Sequence, residues 1–150
     1  CYGRGGKEPT VTDANVVLGR LRPDRALGGE IDLDQDAALE AISRLGQELD
    51  LTPERTAEGI LRLAAARMTA SVKEISIMRG LDPRDFTLLA YGGAGPLHAA
   101  EIAKELGIKL HIIDIVEEYK DLSFVSSEKV ANKYISILEK ENALVISLLN

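Results

Sequence analysis

One cysteine, two histidines, no tryptophan and six other aromatic residues in a chain of 150 leave several kinds of chemistry without their usual side chains. With Cys1 alone, no internal disulfide can form, which suits a reducing cytoplasm, and no cysteine-based zinc cluster can be built. The apolar runs are far too short to span a bilayer, and no signal-peptide pattern is present. Eighteen basic residues face 24 acidic ones, for a net charge of −6 without a basic cluster. That balance argues against nucleic acid and anionic membranes as partners. A full P-loop and a G-x-S-x-G elbow are absent as well. The chain opens Cys1-Tyr2-Gly3 with no initiating methionine, so it is expected to be part of something longer or a processed product.

What is present is the composition of an ordinary globular domain, 45% hydrophobic and 28% charged, and the length favours one α/β domain with a core of useful size. Composition shifts near Ile108–Leu110. Residues 1–109 hold ten Arg and four Lys, whereas 110–150 hold no Arg, Gly or Pro. Both parts carry a charge of −3 (14 minus 17, and 4 minus 7), so charge does not explain the shift. It falls inside an apparent strand and reads as two sequence origins joined there, with 110–150 a strand–helix–strand tail.

In chain order, CYGRGGKEPTVT reads as loop, in which Arg4 and Lys7 among glycines could meet an anion, although such segments are more commonly flexible surface loops. Thr12 is a candidate N-cap for a helix over 13–21, with Asp13 at its positive end. Asp13 and Asn15 could serve as ligands for magnesium-bound water, or simply as a cap and its neighbour. A helix over 35–49 follows Asp34, with Ala38, Leu39, Ile42, Leu45 and Leu49 on one face. Thr52-Pro53-Glu54 opens a long helix, 53–79, whose apolar stripe is Ala57, Ile60, Leu61, Ala64, Met68, Val72, Ile75 and Met78. Met68 and Met78 read as core filler.

The most informative stretch is Phe86–His98, FTLLAYGGAGPLH. A strand over 86–91 ends in Gly92-Gly93-Ala94-Gly95-Pro96 and passes directly into a helix over 96–106. Glycines allow close approach of backbone to a ligand, and a helix start offers unpaired N–H groups to an anion. Such turns also occur for packing alone. Further strands are predicted over 109–116 and 143–149, and a helix over 127–141. Strand, helix, strand, helix, strand is a parallel arrangement, in which ligands sit beyond the carboxyl ends of the strands. His98 lies one turn into the helix and could touch a ligand, whereas His111, inside a strand, reads as structural.

Cys1–Leu21, CYGRGGKEPTVTDANVVLGRL, and Gly80–Ile108, GLDPRDFTLLAYGGAGPLHAAEIAKELGI, together resemble the hydantoinase A/5-oxoprolinase family over residues 1–109. The resemblance implies a fragment of an actin-like, ribonuclease-H-like ATPase lobe. It implies ATP and Mg²⁺ as cofactors, with Gly92, Gly93, Ala94, Gly95, Pro96 and His98 facing the nucleotide. Thr12, Asp13 and Asn15 match the family's TDAN signature, which would place Thr12 and Asn15 by the nucleotide and give Asp13 a catalytic or magnesium role. The implied chemistry is phosphorylation of a cyclic amide oxygen, then hydrolytic ring opening. The implied partners are the nucleotide and the remainder of a parent enzyme or a companion hydantoinase B-like subunit. The family's upstream phosphate-binding lobe is missing, so this chain is expected to be inactive alone. The alternatives are a non-catalytic structural remnant or hybrid domain, and a subunit-interaction module.

Overall fold

The computed structural model describes residues 1–24, 31–91, 95–113 and 143–145. They fall into two compact units, Cys1–Ala64 and Ala65–Asn150, where the sequence suggested one domain.

The first unit is helical. Helix α1 (Val11–Val17) is capped by Thr10, not by Thr12 as expected. Both threonines precede a polar residue three positions on, but only Thr10 has a carboxylate there. The Asp13 N–H donates to Thr10 Oγ1 at 3.2 Å and the Thr10 N–H donates to Asp13 Oδ2 at 2.7 Å, which closes a capping box. The helix therefore starts two residues earlier than predicted. It ends at Val17 rather than Leu21 because Gly19, at φ +68°, turns the chain so that Gly19 N–H reaches Val16 O.

Helix α2 (Gln35–Leu49) takes the predicted Asp34 cap, whose carboxylate accepts from the Ala37 N–H at 2.9 Å. Its buried face is not quite the predicted one. Ala38, Ile42 and Gly46 are buried, whereas Leu39 and Leu49 are 45% and 55% exposed. Gly46 sets this rotation: a Cβ there would stand 2.8 Å from Leu51 O and 2.9 Å from Thr56 Oγ1. Ala14, Ile42, Ala57 and Leu61 form one core cluster, and Val16, Leu33 and Ala38 a second.

Helix α3 (Pro53–Met78) follows its predicted boundaries closely. In the second unit it contributes Ala65, Thr69, Val72 and Ser76 as buried residues, while Ile75 and Met78, counted in the predicted stripe, are 56% and 79% exposed. Hydrophobicity selected the wrong side of the last turns because Ser76 is buried in their place, its hydroxyl donating to Val72 O at 2.8 Å. Thr69 likewise spends its hydroxyl on Glu105, at 3.3 Å.

A 3₁₀ turn over Pro83–Asp85 leads into β1 (Thr87–Tyr91); Phe86 closes that turn, so the strand begins one residue later than predicted. Helix α4 (Gly95–Leu106), β2 (Lys109–Ile113) and β3 (Ala143–Val145) complete the unit. The sheet is parallel in the order β2-β1-β3, with Thr87 opposite both Lys109 and Ala143. Val72, Leu88, Ala90, Ala99, Ile102, Ala103 and Leu106 make its core, joined by Met68, Ile108 and Leu110. Residues 114–116 and 146–149 of the predicted strands, and the predicted helix 127–141, lie outside the described residues.

Candidate functional site

The sheet order selects one place for a ligand. From the middle strand β1 the chain crosses through α4 to β2 on one side, while β3 lies on the other. The carboxyl end of β1 is thus where the winding reverses, and in open parallel sheets the crevice outside such a switch point receives the ligand. The chain leaves β1 there and re-enters the described structure at Gly95, the first residue of α4. Gly92, Gly93 and Ala94 lie outside the described residues.

The start of α4 suits an anion in three respects. A helix of 12 residues presents unpaired N–H groups and a partial positive charge at this end. Its first turn carries no acidic side chain that would satisfy them. Gly95 is buried, yet a Cβ built on it meets nothing within 4 Å among the described residues. Pro96 at the second helical position removes one N–H that would have no helical partner in any case. His98 lies one turn further on and is 6% exposed, so its ring belongs to the interior of the unit. His111, expected to be structural, is instead exposed on β2.

In the first unit the TDAN residues have other surroundings. Thr12 Oγ1 lies 2.8 Å from Tyr2 Oη. Asp13 is 2% exposed, and both its oxygens are engaged: Oδ1 accepts from the Cys1 nitrogen at 2.8 Å, and Oδ2 from the Thr10 N–H and, at 2.6 Å, the Thr10 hydroxyl. Burial opposes ionisation of this carboxyl, but the bonds from Cys1 and Thr10 outweigh it and hold its pKa below the ordinary 3.8. Asp13 thus takes part in the helix cap, and among the described residues no group of three or more His, Cys, Asp or Glu side chains could hold a metal. Asn15 is also 2% exposed. Its Nδ2 donates to Val11 O at 2.9 Å, while its Oδ1 has no hydrogen-bond partner among the described residues. The sequence singled out Asn15 but gave no sign of that orphaned oxygen.

The parallel sheet in the order β2-β1-β3 with α4 following its middle strand defines an α/β unit, and the chain has the fold of a lobe of the actin-like ATPases. It belongs to the hydantoinase/oxoprolinase family, which it matches over residues 1–127. The match runs past the compositional shift at 110 and takes in residues 110–127, the first part of the tail that was expected not to match. An uncharacterized protein of Methanocaldococcus jannaschii is 36% identical over 160 residues, covering 93% of this chain and 23% of that protein. The crystal structure of the ATP-dependent caprolactamase from Pseudomonas jessenii superposes with a TM-score of 0.68 at 46% identity, covering 75% of this chain and 16% of that one. The nucleotide-free structure of acetone carboxylase gives 0.64 at 32% identity, covering 72% and 16%. The chain thus spans between about a sixth and a quarter of the lengths of these relatives. Among the described residues, no helix is long and apolar enough to cross a membrane.

Proposed function

We propose that this chain forms part of an ATP-dependent enzyme acting on cyclic amides and contributes one side of its nucleotide site, at the start of α4. The observation that carries this reading is the acid-free first turn of α4, opening at the switch point with room at Gly95. The N–H groups of Gly95 and Leu97 would hold a phosphate, with the helix dipole adding to the attraction. Gly92, Gly93 and Ala94 would bring backbone to the nucleotide, and Pro96 and buried His98 would fix the helix start. The kinship with an ATP-dependent caprolactamase and with an enzyme of ATP-dependent acetone carboxylation supports the nucleotide.

Bound ATP would supply a phosphoryl group that makes an amide oxygen a leaving group; these residues bind and orient it. Magnesium would be held by the nucleotide and by groups other than Asp13, whose oxygens are taken. Turnover requires the rest of a parent enzyme or a companion subunit, in keeping with the name of one relative, caprolactamase subunit alpha. The single cysteine and the lack of a membrane-crossing helix among the described residues suit a cytoplasmic setting.

Titration calorimetry with ATP tests this directly. Because a Cβ at Gly95 meets nothing within 4 Å among the described residues, Gly95→Val should leave the fold intact and weaken binding by about tenfold or more. No heat at about millimolar ATP, with parent and variant alike, would leave the chain a structural or docking module.

A further inference from the structure

The glycine-rich segment Tyr2–Lys7 is anchored at both ends in the first unit. Cys1 O accepts from the Asp34 N–H at 2.9 Å, Tyr2 Oη meets Thr12 Oγ1 at 2.8 Å, and the Arg44 guanidinium donates to Lys7 O and pairs with Glu8 at 3.7 Å. It is therefore a fastened loop. Between the anchors, Gly3 and Gly5 stand at φ +64° and +82° with Arg4 at negative φ between them. Alternation of φ sign is a feature of the backbone nests that bind anions. The N–H groups of Gly3 through Lys7 donate to no acceptor among the described residues. A Cβ at Gly3, Gly5 or Gly6 would meet nothing within 4 Å among the described residues, so an incoming group can reach this backbone. At Gly6, neither φ nor packing calls for glycine.

The charges agree with the backbone. In a protein of net charge −6, this loop presents Arg4 and Lys7, both exposed and without a carboxylate partner among the described residues. Of the two acids nearest in sequence, Glu8 lies 3.7 Å from Arg44 at the surface and Asp13 turns to its inward bonds. We propose that the Gly3–Lys7 loop is an oxyanion site of its own, separate from the start of α4. It takes a phosphate group on the backbone N–H concavity, with Arg4 and Lys7 closing over it.

Amide NMR of the full chain, titrated with inorganic phosphate at constant ionic strength with chloride as the control, tests the proposal. The expected result is saturable shifts confined to Gly3–Lys7, and a dissociation constant raised by about tenfold or more in an Arg4→Gln/Lys7→Gln variant. Gly5→Ala, which opposes the positive φ, should weaken binding without removing charge. Shifts scattered over the surface, shifts that do not saturate, or shifts unaltered in the double variant would overturn it. An ATP titration identifies the source: shifts at the loop mark a nucleotide phosphate, whereas response to inorganic phosphate alone marks the free ion. Shifts at Leu97–Ala99 report the α4 site instead, so either site can fail without the other.

Discussion

Asp13 shows how a side chain that a sequence singles out for catalysis can also serve the fold. An acid in a TDAN motif at a helix start invites a metal or proton-transfer role, but here each oxygen accepts from a neighbour and the residue closes a capping box. Loss of the cap in Thr10→Ala should cost about 1 kcal/mol by urea denaturation. Because the folded-state pKa lies below 3.8, Asp13 stabilises the fold fully above that value, and its contribution is lost as pH falls through the folded-state pKa. Asp13→Asn should accordingly flatten the acid limb of a stability–pH curve below about pH 4. Asn15 differs: removing its orphaned oxygen offsets the loss of the Nδ2 bond, so Asn15→Leu should change stability by less than about 1 kcal/mol. A loss of nucleotide binding in that variant, with stability retained, would mark the residue as functional. At Gly46, where a Cβ would press on Leu51 O and Thr56 Oγ1, Gly46→Ala should lower stability by about 1–3 kcal/mol, read as a reduced denaturant midpoint with unchanged slope.

At the scale of elements, starts with a strong chemical signal were legible and faces less so. Asp34 before α2 and Thr52-Pro53 before α3 were read correctly, because a cap is a local interaction within four residues. For α1, two overlapping threonine signals competed, and the carboxylate at Asp13 decided between them. Faces were misjudged where polar residues went inside: Thr69 and Ser76 are buried because their hydroxyls are satisfied, which hydropathy does not register. The end of α2 offers a test. Asp50 holds φ +55° in a turn where Leu51 N–H reaches Gly46 O, a position that favours glycine. Asp50→Gly should therefore raise stability by about 0.5–1 kcal/mol in thermal melts.

For the whole molecule, exposed Ile75, Ile77 and Met78 in the second unit are surface that burial does not use. Ile77 is 68% exposed. Replacing it with serine should leave stability within about 0.5 kcal/mol and reduce any self-association seen by light scattering. The family match to residue 127 corrects the reading of the tail, since a change in arginine and glycine content is a poor guide to where a fold ends. The sequence by itself determined the α/β class, the strand–glycine–helix unit around Gly95 and the family, because these rest on local periodicity, backbone demands and motif order. Tertiary structure alone decided that β1 lies between β2 and β3, that Asp13 turns inward and that Asn15 Oδ1 has no donor among the described residues. Those outcomes depend on segments far apart in the chain meeting in space: Leu89 faces both His111 and Val145, and no local pattern encodes such a meeting.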